Sequence, residues 1–393
     1  MKTIYLDHGS TTPVRKEVLK ESLPYFSKIY GNPSSFHTTG LIAKKEINKA
    51  RKKIAKILNC EEEEIIFTGS GTESINLAIK GIALNELVKG KKGHFITQKT
   101  EHDAVLETMK WIEKLGFEVT YLNVDEKGIV KLDELKNAIR DDTLLVSIMY
   151  ANNEIGTIQP IKKIAQIIHE KGKLFHTDAC QATEYLSINT KKLGVDMMTI
   201  NGSKIYSYKG SGILFKKKNI KLTPLIHGGH QERGTRSGTE NTPAIIALAK
   251  ALEISEKEKK KENERLTKLR NYMIKRIENE IEKVKINGDK KNRLPNNVNV
   301  SFYGVEGESI LLRLNEEGIR ASTGSACSSQ SLEPSHVLLA TGLTHELAHG
   351  SIRFTLGKNT TKKEIDYTIN KLKKIIPFLR TISSAWKKIK TKR

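Results

Sequence analysis

The stretch IIFTGSGTES, Ile65–Ser74, runs from four strand-forming residues through a glycine-spaced turn into the start of a helix. Ile65 to Thr68 is a short apolar run of the kind a buried strand supplies, and helical periodicity takes over from Thr72 to Leu87. Backbone N–H groups at such a helix start have no acceptor within the helix, so the turn suits a phosphate, although a lone glycine-rich turn does not specify one.

Outward from this turn, the same alternation recurs from about Glu64 to Phe215. Further strands are predicted at His94 to Thr97, Glu118 to Val124, Leu144 to Tyr150, Leu174 to Thr177 and Asp196 to Ile200. Helical patterns at Ala104 to Lys114, Leu132 to Ala138 and Ile161 to His169 separate them, the last with Ile161, Ile164, Ala165 and Ile168 on one face. Strands alternating with helices imply an α/β fold with a mostly parallel sheet covered on both faces. Such sheets bind ligands in loops past the carboxyl ends of their strands.

Thr242-Pro243 reads as a helix start, threonine as N-cap and proline in the first helical position, opening a charged helical segment that runs to about Val284. Strands at Asn297 to Phe302 and Ser351 to Leu356 then indicate a second, smaller α/β domain. A length of 393 residues accommodates two domains.

With 37% hydrophobic and 28% charged residues and no apolar run of about 18 residues, the composition is that of a globular protein with no membrane span. The start, MKTIYLDHGSTTPV, lacks the features of a secretory signal, so a cytoplasmic location is expected. Three cysteines without a C-x-x-C pair argue against a disulfide framework or a zinc ribbon. The net charge of +22 and the tail WKKIKTKR, Trp386–Arg393, would attract acidic surfaces. Lysine is nevertheless interspersed with glutamate and no nucleic-acid reader motif occurs, so specific nucleic-acid binding is not expected.

Two further clusters end predicted strands. HTDACQ, His176–Gln181, offers an acid and an amide, with capping as the plain alternative; NGSKIY, Asn201–Tyr206, places Lys204 just past the next strand. Pyridoxal phosphate needs a phosphate cradle, an acid for its pyridine nitrogen and a lysine for a Schiff base, and these clusters supply all three in order.

Here the chain resembles a known family, the class V, fold-type I pyridoxal-phosphate enzymes, and within it the cysteine desulfurases of the iron–sulfur-cluster type. Ordered motifs carry the resemblance over nearly the whole length, among them YLDHGSTTPV at Tyr5, GNPSSFHTTG at Gly31, FTGSGTES at Phe67, EHDAV at Glu101 and NNEIGTIQPI at Asn152. Others are HTDACQ at His176, SKIY at Ser203, GGHQERGTRSGTEN at Gly228, GSACSSQSLEPSHVL at Gly324 and SIRFTLG at Ser351.

The resemblance implies a large cofactor-binding domain, residues 15–258, with a mostly parallel seven-stranded sheet, and a small domain, residues 1–14 and 259–393, carrying the catalytic cysteine. It implies Lys204 as the Schiff-base lysine, Asp178 as partner of the pyridine nitrogen, Gln181 as donor to the phenolic oxygen and His102 stacked on the ring and assisting proton transfer. Gly71 and Thr72 would hold the phosphate, and Thr239 would reach the phosphate of a partner subunit, which makes the protein a homodimer. Asn153 and Arg353 would meet the substrate carboxylate, and Asn153 also the cofactor. Two departures stand out: Asn201-Gly202-Ser203-Lys204 replaces the usual Ser-Gly-His-Lys, and Tyr206-Ser207-Tyr208-Lys209 the usual Tyr-Gly-Pro-Lys. Asn201 and Ser203 are then expected at the phosphate, Ser203 donating without a positive charge and retaining the cofactor more weakly.

The implied reaction converts L-cysteine to L-alanine, with Cys327 as the thiolate that takes the sulfur as a persulfide and passes it on. Its segment, STGSACSSQSLEPSH at Ser322–His336, is small and polar, and Arg353 follows Cys327 by 26 positions, as in the long-loop group that delivers sulfur to proteins. Iron–sulfur scaffold proteins and relays for tRNA thiolation are the implied acceptors. Cys180 is expected to be buried, and Cys60 to have a thiol pKa raised by Glu61 to Glu64. Alternatives are a selenocysteine lyase or related lyase of the same fold, and a basic scaffold without cofactor. HELAH, His345–His349, matches the zinc-protease signature H-E-x-x-H, but a strand-like segment follows at once and no metal is expected.

Overall fold

The computed structural model describes residues 3–324 and 333–391, the side chains of 388–391 excepted, so Cys327 lies outside the described residues. The strands are β1 Ile4–Tyr5, β2 Ile65–Thr68, β3 His94–Gln98, β4 Glu118–Leu122, β5 Thr143–Ser147 and β6 Leu174–Asp178. They continue as β7 Met197–Asn201, β8 Gly212–Lys216, β9 Val284–Ile286, β10 Asn297–Phe302, β11 Ile319–Arg320 and β12 Ser351–Thr355. Seven form one sheet in the order β2-β8-β7-β6-β5-β3-β4. Only β8 runs against its neighbours.

Alternate residues of these strands feed two different cores. Ile66, Phe95, Leu145, Met197 and Leu214 face helices Gly71–Leu87 and Asp103–Lys114, where Ile75, Val105 and Met109 are buried with them. Phe67, Ile96, Val146, Met198 and Phe215 face the other side and join Ile54, Ile164, Ile168 and Leu248. A period of two with both faces apolar is what a sheet covered by helices on both sides requires. Burying each of these side chains stabilises the fold by about 1.5–3 kcal/mol.

Helix Thr242–Glu280 begins one residue earlier than the Thr-Pro pair suggests: Asn241 is the N-cap, its side chain accepting from Ala244 N at 3.2 Å, and Pro243 sits in the first turn. The helix stops at Glu280, and Val284 already belongs to β9. The predicted strand Leu144 to Tyr150 closes at Ser147, although Ile148 N and Tyr150 N still donate to the carbonyls of His176 and Asp178. The predicted strand Glu118 to Val124 likewise ends at Leu122.

Beyond the large sheet, β1 pairs in parallel with β11, and β12-β10-β9 form an antiparallel sheet. Helices Gly307–Glu316 and Lys362–Ile382 pack against each other beside it. Helix His345–His349 spans five residues, and after Gly350 the chain enters β12. Among the described residues no group of three histidine, cysteine, aspartate or glutamate side chains could hold a metal. Nor is any described helix long and apolar enough to cross a membrane.

Candidate active site

Strands β2, β3, β5, β6 and β7 run in parallel and each delivers a polar side chain beyond its carboxyl end. Gly71, Thr72, His102, Asn153, Asp178, Gln181, Asn201, Lys204 and Arg353 line one cleft holding about 640 Å³ of space, its open mouth included. These residues span 282 positions of sequence between Gly71 and Arg353, and the crossover topology brings them to one edge of the sheet.

Each is held by a local device. Ser70 caps helix Gly71–Leu87, its side chain accepting from Glu73 N at 3.0 Å, which leaves the amides of Gly71 and Thr72 without acceptors within the helix. A Cβ at Gly71 would stand 2.8 Å from Cys180 Sγ, so only glycine fits there. His102 caps helix Asp103–Lys114, its Nδ1 accepting from Ala104 N at 3.0 Å, which places the proton of the neutral ring on Nε2. Asp178, buried at the end of β6, accepts from Cys180 N at 2.9 Å. Behind it, buried His176 lies between Ser147 Oγ at 2.8 Å and Thr199 Oγ1 at 3.0 Å, and burial depresses its pKa to about 4.

The sequence gives no local hint of Gly9 and Ser10, which belong to the wall of the cleft. Lys204 Nζ donates to Gly9 O at 3.0 Å and to Ser10 O, and Gln181 Nε2 donates to Gly9 O at 2.8 Å. Arg353, 2% exposed, donates through Nη1 to Asn153 O at 3.0 Å and through Nη2 to Ser10 Oγ at 2.7 Å and Asp7 Oδ1 at 2.9 Å.

Two expectations change, those for Ser203 and Cys180. Ser203 does not line the cleft; its N–H and hydroxyl both donate to Asn201 Oδ1 at 3.1 Å, because the turn Gly202–Lys204 rotates it away from Lys204. Thr239 lines a separate cleft with Glu232, Arg236 and Asn241. Cys180 is half-buried and lines the active-site cleft, where desolvation and the Asp178 carboxylate hold its thiol well above the usual range. For Cys60 the thiol is pushed up to about 12, by burial first and then by Glu64 and Glu61.

The described chain on either side of residues 325–332 is moored to the same wall. Ser322 pairs with the backbone of Arg353, and Ser335 Oγ donates to the carboxylate of buried Glu154. A Cβ at Gly324 would lie 3.1 Å from Glu154 Oε2 and 3.7 Å from Ser335 Cβ, so the two flanks meet. His336 Nε2 donates to Glu101 O at 2.9 Å, beside His102.

The donor set fits pyridoxal phosphate: an amine on Lys204, an acid on Asp178, an imidazole on His102 and unpaired amides at a helix start. Asn153 Oδ1 and Arg353 Nε are buried in the same wall without hydrogen-bond partners, as in a site built to receive further polar groups. The aminotransferase class-V family matches residues 4–368.

The chain belongs to the aminotransferase class-V family. This class-V chain is 54% identical over 382 residues to the protein described as cysteine desulfurase IscS of Dictyoglomus turgidum, covering 97% of this chain and 96% of the relative. A solved structure described as a NifS-like protein superposes with a TM-score of 0.90 at 39% identity, over 96% of this chain and 100% of that one. Another, described as SspA in complex with cysteine, gives 0.79 at 38% identity over 90% and 99%. The class-V architecture, a mostly parallel seven-stranded sheet flanked by helices, is that of the fold-type I enzymes.

Proposed function

We propose that the protein is a pyridoxal-phosphate-dependent cysteine desulfurase, which converts L-cysteine to L-alanine and leaves the sulfur as a persulfide on Cys327. The observation that carries this reading is the meeting of Lys204 and Asp178 with Arg353 in one cleft, on the class-V fold. Bound there, the cofactor would act as the electron sink that lets the substrate's Cα proton leave.

The chain's own residues do the rest. Gly71 and Thr72 would bind the phosphate, Asp178 the pyridine nitrogen, and Gln181 the phenolic oxygen. The guanidinium of Arg353 and the amide of Asn153 would orient the substrate carboxylate, a planar fork matching a planar anion. Lys204 would carry the Cα proton, assisted by His102 through its Nε2–H. Cys327 as thiolate then attacks the substrate sulfur: the C–S bond breaks, an S–S bond forms, and the remaining carbon fragment takes protons to become alanine. Sulfur moves without any outside oxidant.

The division into residues 15–258 and residues 1–14 with 259–393 belongs to the same reading, and it is supported by the strands: β2 to β8 fall in the first part and the remaining five in the second. A homodimer with Thr239 turned to the partner's cofactor, a cytoplasmic location and an iron–sulfur scaffold or thiolation relay as sulfur acceptor complete it. The test is to incubate the purified protein with L-cysteine and follow alanine and added sulfur by mass spectrometry. Alanine, with 32 mass units added to Cys327, is expected. A colourless wild-type protein, or a visible absorbance band that survives Lys204→Ala, overturns the reading.

A further inference from the structure

Two residues after Lys204, Tyr206 holds a φ of +62°. A bulky aromatic residue in the left-handed region is strained, and it persists only where its surroundings over-determine it. Tyr206 is 4% exposed; its N–H donates to Thr12 Oγ1 at 2.8 Å, its carbonyl accepts from Arg15 N at 3.1 Å, and its hydroxyl accepts from Lys358 N at 2.9 Å. The guanidinium of Arg15 covers the ring, 4.9 Å from its centroid. Buried Thr12 also reaches the other side of the lysine: its N–H and its hydroxyl both donate to Ser203 O at 2.9 Å. The hydroxyl of Thr12 thus bridges the carbonyl before Lys204 and the amide two residues after it.

The same short segment holds the far end of the side chain, since Gly9 O and Ser10 O accept from Lys204 Nζ. Residues 9–12 therefore grip Lys204 both by its amine and by its backbone. The outlier at Tyr206 has a use in this arrangement, because the left-handed turn carries its carbonyl to Arg15 while its N–H meets Thr12. We propose that Thr12 and Tyr206 are positioning residues for Lys204, a clamp on the lysine's backbone that brings its amine to the substrate's Cα in one orientation. The inference rests on the pyridoxal-phosphate reading and goes beyond its cofactor contacts, for neither residue lines the cleft. Through Lys358 the clamp also reaches the chain leaving β12, the strand that carries Arg353. The group that moves the proton and the group that holds the carboxylate are thereby set on one frame.

A purely structural part for Thr12 makes a different forecast, a loss of stability alone. Thr12→Val keeps the shape and removes the hydroxyl, whereas Thr12→Ser keeps the hydroxyl. In the cofactor-free chain, hydrogen–deuterium exchange read by mass spectrometry should show peptides covering residues 203–206 exchanging faster in Thr12→Val and at the wild-type rate in Thr12→Ser. In the holoenzyme, Lys204 takes the α-proton of the product L-alanine and returns a deuteron drawn from D2O, a cycle that needs no sulfur transfer and is followed by NMR. Thr12→Val is expected to slow this cycle about tenfold while the dissociation constant for alanine stays within about twofold, and Thr12→Ser restores the rate. Tyr206→Phe removes the acceptor of Lys358 N, should slow the cycle about threefold, and carries the test if Thr12→Val does not fold. A wild-type rate in Thr12→Val or in Tyr206→Phe overturns the inference. So does a loss of rate matched by an equal loss of alanine affinity, or unchanged amide exchange in Thr12→Val. A wild-type protein with no visible absorbance band in the presence of pyridoxal phosphate overturns the cofactor reading itself, and the inference with it.

Discussion

Arg353 Nη2 lies 2.9 Å from Asp7 Oδ1, so a guanidinium on β12 is held by the turn that follows β1, across 346 positions of sequence. The same group grips Asn153 O and Ser10 Oγ, and its Nε has no partner. Lysine keeps the charge but cannot reproduce a planar fork with several fixed partners. Arg353→Lys is therefore expected to raise KM for cysteine about tenfold, with a smaller effect on kcat. It should also lower stability by about 1–3 kcal/mol, because an ammonium cannot keep the fork's bonds to Asn153 O, Ser10 Oγ and Asp7 Oδ1 together. Steady-state kinetics and urea unfolding check both; an unchanged KM would remove Arg353 from the substrate's carboxylate.

Gly71 is a steric requirement as well as a helix start. Adding a methyl there places it 2.8 Å from Cys180 Sγ and 3.2 Å from Asn201 Cβ, and something must move. Gly71→Ala is expected to cost about 1–3 kcal/mol and to loosen the cofactor. Combining it with Cys180→Ala removes the nearer of the two obstacles. The double variant should recover part of the lost stability in thermal unfolding, and no recovery would mean that Asn201 is the real barrier.

The three thiols should separate cleanly in reactivity. With its thiol pushed up to about 12, Cys60 is ~0.01% thiolate at pH 8, and desolvation and Asp178 disfavour ionisation of Cys180 as well. Cys60→Ser and Cys180→Ala should therefore retain persulfide formation from cysteine within about twofold of wild type, whereas Cys327→Ser abolishes it. Peptide mass spectrometry after incubation with cysteine reads this directly. Sulfur appearing on Cys180 would assign the acceptor role to the wrong thiol.

His176 sets a pH dependence of stability. Its folded pKa, depressed to about 4, lies below the ordinary 6.5 because burial between Ser147 and Thr199 disfavours the charged ring. The folded state thus binds fewer protons than the unfolded chain, and stability that is full above pH 6.5 is lost as pH falls toward 4. The loss attributable to this residue is about 3 kcal/mol. His8 and His94, whose pKa values burial also lowers, act in the same direction. Urea midpoints for wild type and His176→Asn should converge in difference as the pH drops; parallel curves would show that the ring titrates normally.

Strands buried on both faces were the most legible part of the fold. IIFT at β2 and NVNVSF at β10 match their predicted bounds, because continuous apolar or alternating runs bounded by turns leave few other solutions. GILFK at β8 passed unread, though Ile213, Leu214 and Phe215 form an apolar run after Gly210; its antiparallel course lies outside the strand–helix alternation that organised the reading. Side chains at strand ends were legible for a related reason: Asp178 closes β6 and Lys204 follows the end of β7 by three residues, each after a recognisable strand. Gly9 and Ser10 were not, because their contact with Lys204 bridges 195 and 194 positions and leaves no local pattern. Ser203 was misplaced by its adjacency to Lys204: in a 3₁₀ turn successive side chains diverge by roughly 120°.

The meeting of Gly324 and Ser335 at Glu154 gives the fold a cassette. Gly324 and Ser335 are 11 positions apart in sequence yet meet at Glu154, so both ends of the intervening span are fixed by described residues. Lengthening such an insertion adds only about 0.6 kcal/mol for each doubling, and Arg353, Asn153 and Lys204 need not shift to admit it. The strand ends that shape the cleft and the length of the span that carries Cys327 can therefore vary on separate schedules, provided the cysteine is kept.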